Sequence, residues 1–166
     1  MQSDFRQGGF KALPTIVKNL LIINGLVWLA QITIEEKVFS IEDTFALHYF
    51  KSVFYKPWQV VSYMFLHSPQ NFFHILFNMF ALWMFGSTLE NLWGAKRFLI
   101  FYLLCGIGAA FVHMIALGYD VSKLAELYSQ GQISDETFYG NMNIPTMGAS
   151  GAVMGIFAAF AYTFPN

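Results

Sequence analysis

Charge is what this chain has least of. Asp, Glu, Lys and Arg together make up 11% of its 166 residues, where a soluble domain carries about 25%. A water-solvated globule is thereby excluded. The few charges nearly cancel, leaving a formal net charge of −1, so there is no basic field for nucleic acid and no like-charge run to act as an interaction tail. Cysteine is almost missing as well. Cys105 stands alone inside an apolar run, which rules out an internal disulfide and leaves the redox compartment open.

Missing carboxylates remove further chemistries. An intramembrane aspartyl mechanism needs two acids within spanning segments, and the long apolar runs of this chain hold none, Glu90 falling just past the end of one. His67, His74 and His113 could in principle ligate a metal. However, the pattern H-E-x-x-H is absent and no Asp or Glu lies near His74 in sequence, so neither a metal nor an organic cofactor is expected. The soluble serine-hydrolase elbow G-x-S-x-G also fails, because position 152 is Ala and no strand signal precedes Ser150.

What the chain has instead is apolar length. Hydrophobic residues make up 56% of it, and nearly uncharged runs cover residues 16–34 (broken only by Lys18), 72–89, 98–119 and 147–164. Each approaches the roughly 17 to 25 residues that cross a hydrocarbon core about 30 Å thick. An all-α, multi-pass membrane protein with four spanning helices at these positions is expected. Residues 1–14 form a separate polar segment without the apolar core of a signal peptide, and residues 15–166 form the membrane domain. Arg6, Lys11 and a snorkelling Lys18 put the N-terminus on the cytoplasmic side. The positive-inside count agrees by a narrow margin, with Lys96 and Arg97 joining those three against Lys37, Lys51, Lys56 and Lys123 outside.

Between the runs, residues 35–57 are too charged to span yet rich in Phe, as expected of an anchoring belt at the headgroup level. Residues 120–146 are expected to form a mobile outer segment with one short amphipathic turn around Leu124, Leu127 and Tyr128 before Gly131 and Gly140. Asn19, Asn24 and Gln31 in the first span are expected to face neighbouring helices as interhelical glue.

Two stretches could carry chemistry. In Met147-Gly148-Ala149-Ser150-Gly151-Ala152-Val153-Met154-Gly155, a helix starting near Gly148 would align Gly151, Gly155 and Ala159 on one close-packing stripe. Ser150 would then sit in the first turn, where unpaired backbone N–H groups can stabilise a developing oxyanion, although a cap or packing role fits the same position. In the second stretch, His74 and Asn78 lie four residues apart and share a helix face. Polar groups inside a span are functional candidates, with helix-to-helix hydrogen bonding as the structural alternative.

Taken together and in order, these landmarks resemble the rhomboid intramembrane serine proteases. His67, the His74-x-x-x-Asn78 pair, the stretch from Gly86 to Gly94 around Glu90, Lys96-Arg97, and Gly148-Ala149-Ser150-Gly151 are the residues that carry the likeness. The resemblance implies a six-helix rhomboid-like bundle, of which four spanning helices lie in this chain, enclosing a water-filled cavity open to the outer face. It implies a serine endopeptidase acting on single-span membrane proteins within the bilayer. Ser150 would be the nucleophile, and His74, Asn78 and the Ser150 backbone N–H the oxyanion hole, with Gly151 and Gly155 packing the helix. The family's general base, a histidine on the sixth helix, would fall beyond residue 166, so the chain alone is expected to be inactive. Trp58-Gln59 stands where many members have Trp-Arg. A rhomboid-like protein that binds transmembrane clients without cutting them is the alternative from another class, and an unrelated transporter or channel a third.

Overall fold

The computed structural model describes residues 13–34 and 39–165. Arg6, Lys11, Lys37 and nearly all of the polar segment 1–14 lie outside the described residues.

Helix α1 spans Thr15–Ile34. The aromatic connection that follows holds the short helices α2 (Ile41–Phe45) and α3 (Gln59–Ser62), the latter tightening into a 3₁₀ turn over Tyr63–Phe65. Next comes a rod from Phe72 to Trp93. It consists of α4 (Phe72–Ala81), a π-helical turn (Leu82–Gly86) and α5 (Ser87–Trp93). Gly94, at φ +81°, breaks the rod and lets α6 (Ala95–Ser129) return antiparallel. Helix α7 (Asp135–Met142) and helix α8 (Ser150–Thr163) complete the order. No β-strand forms among the described residues, although Leu47 and Thr146 make an isolated antiparallel bridge.

Three of these helices, Thr15–Ile34, Phe72–Trp93 and Ala95–Ser129, are long and apolar enough to cross a membrane. Their outward faces are apolar as well. Leu26, Phe77, Ile115 and Tyr162 are among many exposed large hydrophobic side chains, a surface that lipid solvates and water does not. The fold is therefore that of an all-α membrane protein.

Two helices and two side chains differ from the sequence expectation. Helix α6 does not stop at 119 but continues to Ser129, giving 35 residues and a length of about 52 Å. Asp120, Lys123 and Glu126 recur at three-residue intervals, so they form a polar face on a helix that has left the hydrocarbon. The fourth apolar run shortens to the 14 residues of α8. Gly148 has φ +130°, a conformation no helix contains, and the helix starts two residues later. Asn19 is exposed, so it is not interhelical glue. Asn24 is buried facing Tyr102 of α6, as expected, while its amide also donates to Leu20 of its own helix at 2.7 Å, and Gln31 reaches a loop.

Close helix approach comes from small residues. A Cβ on Gly151 would collide with Ala109, one on Gly155 with Cys105, and one on Gly106 with Met64. The expected packing stripe of α8 therefore meets α6 directly. Lipid tails are as apolar as leucine, so such contacts, and not water exclusion, hold spans together. Glu90 adds a polar tie. Buried at the end of the second span, it accepts the backbone N–H groups of Ile16 and Val17 at 2.9 and 2.8 Å. It thereby caps the start of α1 with a side chain from another helix.

Candidate active site

The aromatic connection becomes a rigid shelf because Gln59 satisfies its backbone. Its Oε1 accepts from the amides of Lys56 and His48 at 3.1 and 3.3 Å. Its Nε2 donates to the carbonyls of Phe54 and Asp43 at 2.9 and 3.1 Å. The neighbouring Trp58 donates its indole N–H to Thr44 at 2.9 Å. A neutral amide thus organises this loop where an arginine would be common.

From this shelf two ties reach the segment before α8. Leu47 and Thr146 exchange both backbone hydrogen bonds, at 2.9 and 2.8 Å, and Tyr63 accepts the Gly148 amide at 3.0 Å. The Tyr63 hydroxyl in turn donates to the Gly106 carbonyl at 2.7 Å. Burial pushes this phenol up to about 12, so it remains a donor throughout the physiological range. His113 sits 2.6 Å from the Thr146 hydroxyl and joins the same scaffold.

This scaffold sets Ser150 at the first position of α8, with no side-chain cap on the helix. Its hydroxyl is not spent on capping. The neighbouring amides of Gly148 and Ala149 are taken by Tyr63 and His67, whereas the Ser150 amide has no acceptor among the described residues. A free N–H and the positive end of the helix therefore coincide at the serine.

On the facing rod, His74 accepts the Ser68 amide at its Nδ1, at 3.3 Å. That bond fixes the tautomer, because an Nδ1 accepting a hydrogen bond leaves the proton on Nε2. That nitrogen lies beside the backbone that leads into the serine. The position that a Cβ on Gly148 would occupy is 2.7 Å from His74 Nε2 and 3.6 Å from Ser150 Oγ. Only glycine lets the imidazole pack this closely against the backbone that leads into the serine, so Nε2 and the hydroxyl lie on the same side of Gly148. Asn78, one turn below, is buried and donates one amide hydrogen to the His74 carbonyl at 2.8 Å, with a second hydrogen left over.

Ser150, His74 and Asn78 all line one open cavity of about 500 Å³, together with Asn71, Phe73, Phe77, Val153 and Met154. Three polar groups thus converge within largely apolar walls, a composition suited to a hydrophobic segment with one reactive polar bond. Gly151 and Gly155 take no part in this lining, since they face α6. Among the described residues no cluster of His, Cys, Asp and Glu is grouped as a metal site.

His67 lies behind the site, fully buried, its ring 5.0 Å from that of His74. Its Nε2 accepts the Ala149 amide at 3.4 Å. Burial first, and the adjacent His74 second, lower its pKa from the usual 6.5 to about 4. A folded value below the unfolded one means that the unfolded chain binds the proton more readily. Stability is therefore fully present above pH 6.5, falls as pH drops toward about 4, and levels off below that. The loss amounts to about 3 kcal/mol. Thermal melts of the detergent-solubilised protein across this range are expected to show the decline, and a His67→Gln variant to show a flatter profile.

The sequence singled out Ser150, His74 and Asn78, and the structure brings them together. It gave no role to Tyr63, expected Gln31 to bridge helices and noted Gln59 only as a departure from a family pattern, whereas all three meet backbone groups elsewhere in the chain. A family model described as the rhomboid domain matches residues 55–166. Rhomboid protease AarA of Providencia stuartii is 33% identical over 144 residues, covering 84% of this chain and 47% of that protein. The mitochondrial Rhomboid protein 1 of Saccharomyces cerevisiae is 35% identical over 99 residues, covering 60% and 23%. Rhomboid protease GluP of Bacillus subtilis is 28% identical over 105 residues, covering 63% and 15%. The chain thus spans less than half the length of each of these relatives. No solved structure gives a significant match.

Proposed function

The chain belongs to the rhomboid family, and from that premise we propose that the full-length protein is an intramembrane serine endopeptidase that cleaves single-span membrane proteins. The observation that carries this reading is the meeting of Ser150, His74 and Asn78 in one open cavity, with Ser150 Oγ and His74 Nε2 both beside Gly148. An oxyanion seated there would meet a preorganised donor as negative charge develops.

In this mechanism Ser150 Oγ attacks the scissile carbonyl carbon and gives its proton to a general base. The carbonyl oxygen, now anionic, is held by His74 Nε2–H, the Ser150 amide and the free Asn78 hydrogen. Collapse expels the amine half of the substrate, protonated by the same base, and leaves an ester on Ser150. Water then attacks the ester and restores the hydroxyl. His74 is held as a donor and His113 is engaged with Thr146, so neither suits the base. The family resemblance assigns that role to a histidine beyond residue 166. With the N-terminus cytoplasmic, the serine end of α8 faces the outer side of the membrane, since α1, the rod Phe72–Trp93, α6 and α8 alternate in direction.

Covalent labelling tests the proposal. A fluorophosphonate probe is expected to modify Ser150 in the full-length, detergent-solubilised protein, located by peptide mass spectrometry. Absence of label on Ser150 in folded protein would favour client binding without cleavage.

A further inference from the structure

We propose that Gln31, on the first span and remote from the cavity lining, is a positioning residue for the nucleophile and acts through His67. The inference rests on the endopeptidase reading for its catalytic meaning, but its geometry stands apart from it. Gln31 is 1% exposed, and its Oε1 accepts the backbone N–H of His67 at 3.1 Å. Its Nε2 lies 4.0 Å from the sulfur of Met147. The amide thus touches both sides of the junction between the loop bearing His67 and the segment leading into α8. His67 completes the relay, because its Nε2 accepts the Ala149 amide one residue before the serine.

This relay decides which amide stays free. The N-terminus of a helix offers several unpaired N–H groups, and the useful one here belongs to Ser150. Holding the Ala149 amide on His67 turns the next peptide unit, and with it the Ser150 N–H, toward the cavity. His67 can hold it only while its own backbone is fixed. No other acceptor for the His67 amide occurs among the described residues, so the carboxamide of Gln31 is what fixes it. An α1 residue is therefore built into the site without lining it.

Two variants of the full-length protein separate positioning from bulk. Gln31→Met keeps length and apolar volume but removes the acceptor, whereas Gln31→Glu keeps an Oε acceptor in place. Hydrogen exchange of the Ala149 amide, read at residue resolution, is expected to accelerate about tenfold or more in Gln31→Met and to return toward wild type in Gln31→Glu, while amides deep in α8 stay unchanged. Cleavage of a transmembrane substrate by Gln31→Met is expected to show kcat reduced about tenfold with KM unchanged, as misplacement of a reacting group predicts. Unchanged Ala149 exchange would overturn the inference, and so would accelerated exchange with wild-type kcat. A loss of kcat that merely tracks the folded fraction of each variant would also overturn it. A wild-type protein that exchanges as expected but neither cleaves nor takes the fluorophosphonate would instead defeat the endopeptidase reading and leave the relay supported.

Discussion

Ser150→Ala in the full-length protein is expected to reduce cleavage of a transmembrane substrate to background while leaving the protein folded and inserted. The size of the loss follows from the mechanism. Removing the serine nucleophile of a soluble serine protease costs about 10⁶-fold in kcat, with a residual rate from binding and the oxyanion hole alone. The substitution should be nearly silent for stability, because the Ser150 side chain is exposed in the cavity and caps no helix. Substrate affinity should survive too, since the apolar lining from Phe73, Phe77, Val153 and Met154 is untouched. The decisive measurement pairs cleavage with substrate capture by the variant. Capture without cleavage supports the assignment, and undiminished cleavage would end it.

The second large effect is expected from Gly148→Ala. One methyl group is added, yet two costs arise. An L side chain at φ +130° is strained whatever the space around it, so some loss of thermal stability is expected. The larger cost is chemical, because the new Cβ would stand 2.7 Å from His74 Nε2, too close for the ring to keep its place. The ring must swing away or the loop must move, and either outcome removes a donor. Loss of one such donor costs about 10²- to 10³-fold in kcat. Cleavage assays at a temperature where wild type and variant are equally folded should show the fall in kcat. A variant that keeps its rate would place the oxyanion elsewhere.

The long apolar stretches were legible because burial in lipid leaves a uniform trace in composition, and the helices near residues 16–34 and 72–89 appear where that trace lies. Helix ends were less legible. A reading that stops a span at its first charge truncates α6 at Asp120, because it measures the hydrocarbon and not the helix. The late start of α8 depends on the backbone at Gly148, which is held by Tyr63 from 85 residues away. The π-helical turn between α4 and α5 carries no proline to announce it. In the cavity, Ser150, His74 and Asn78 were readable because polar groups are rare in an apolar run. Gln31 was noticed for the same reason but expected to bridge helices, and only the fold reveals that it serves a loop amide. Gln59 looked like a departure from a family pattern, and its five backbone partners are visible only in three dimensions.

Glu90 has a consequence for the order in which the molecule is put together. Ribosomal synthesis delivers α1 to the bilayer first, with two of its leading amides lacking the acceptor that they finally use. That acceptor arrives 73 and 74 residues later, after the aromatic shelf and most of the second span. That end of α1 is therefore completed only when the close of the second span emerges. Insertion of this protein is thus a process in which the earliest piece is locked by a later one.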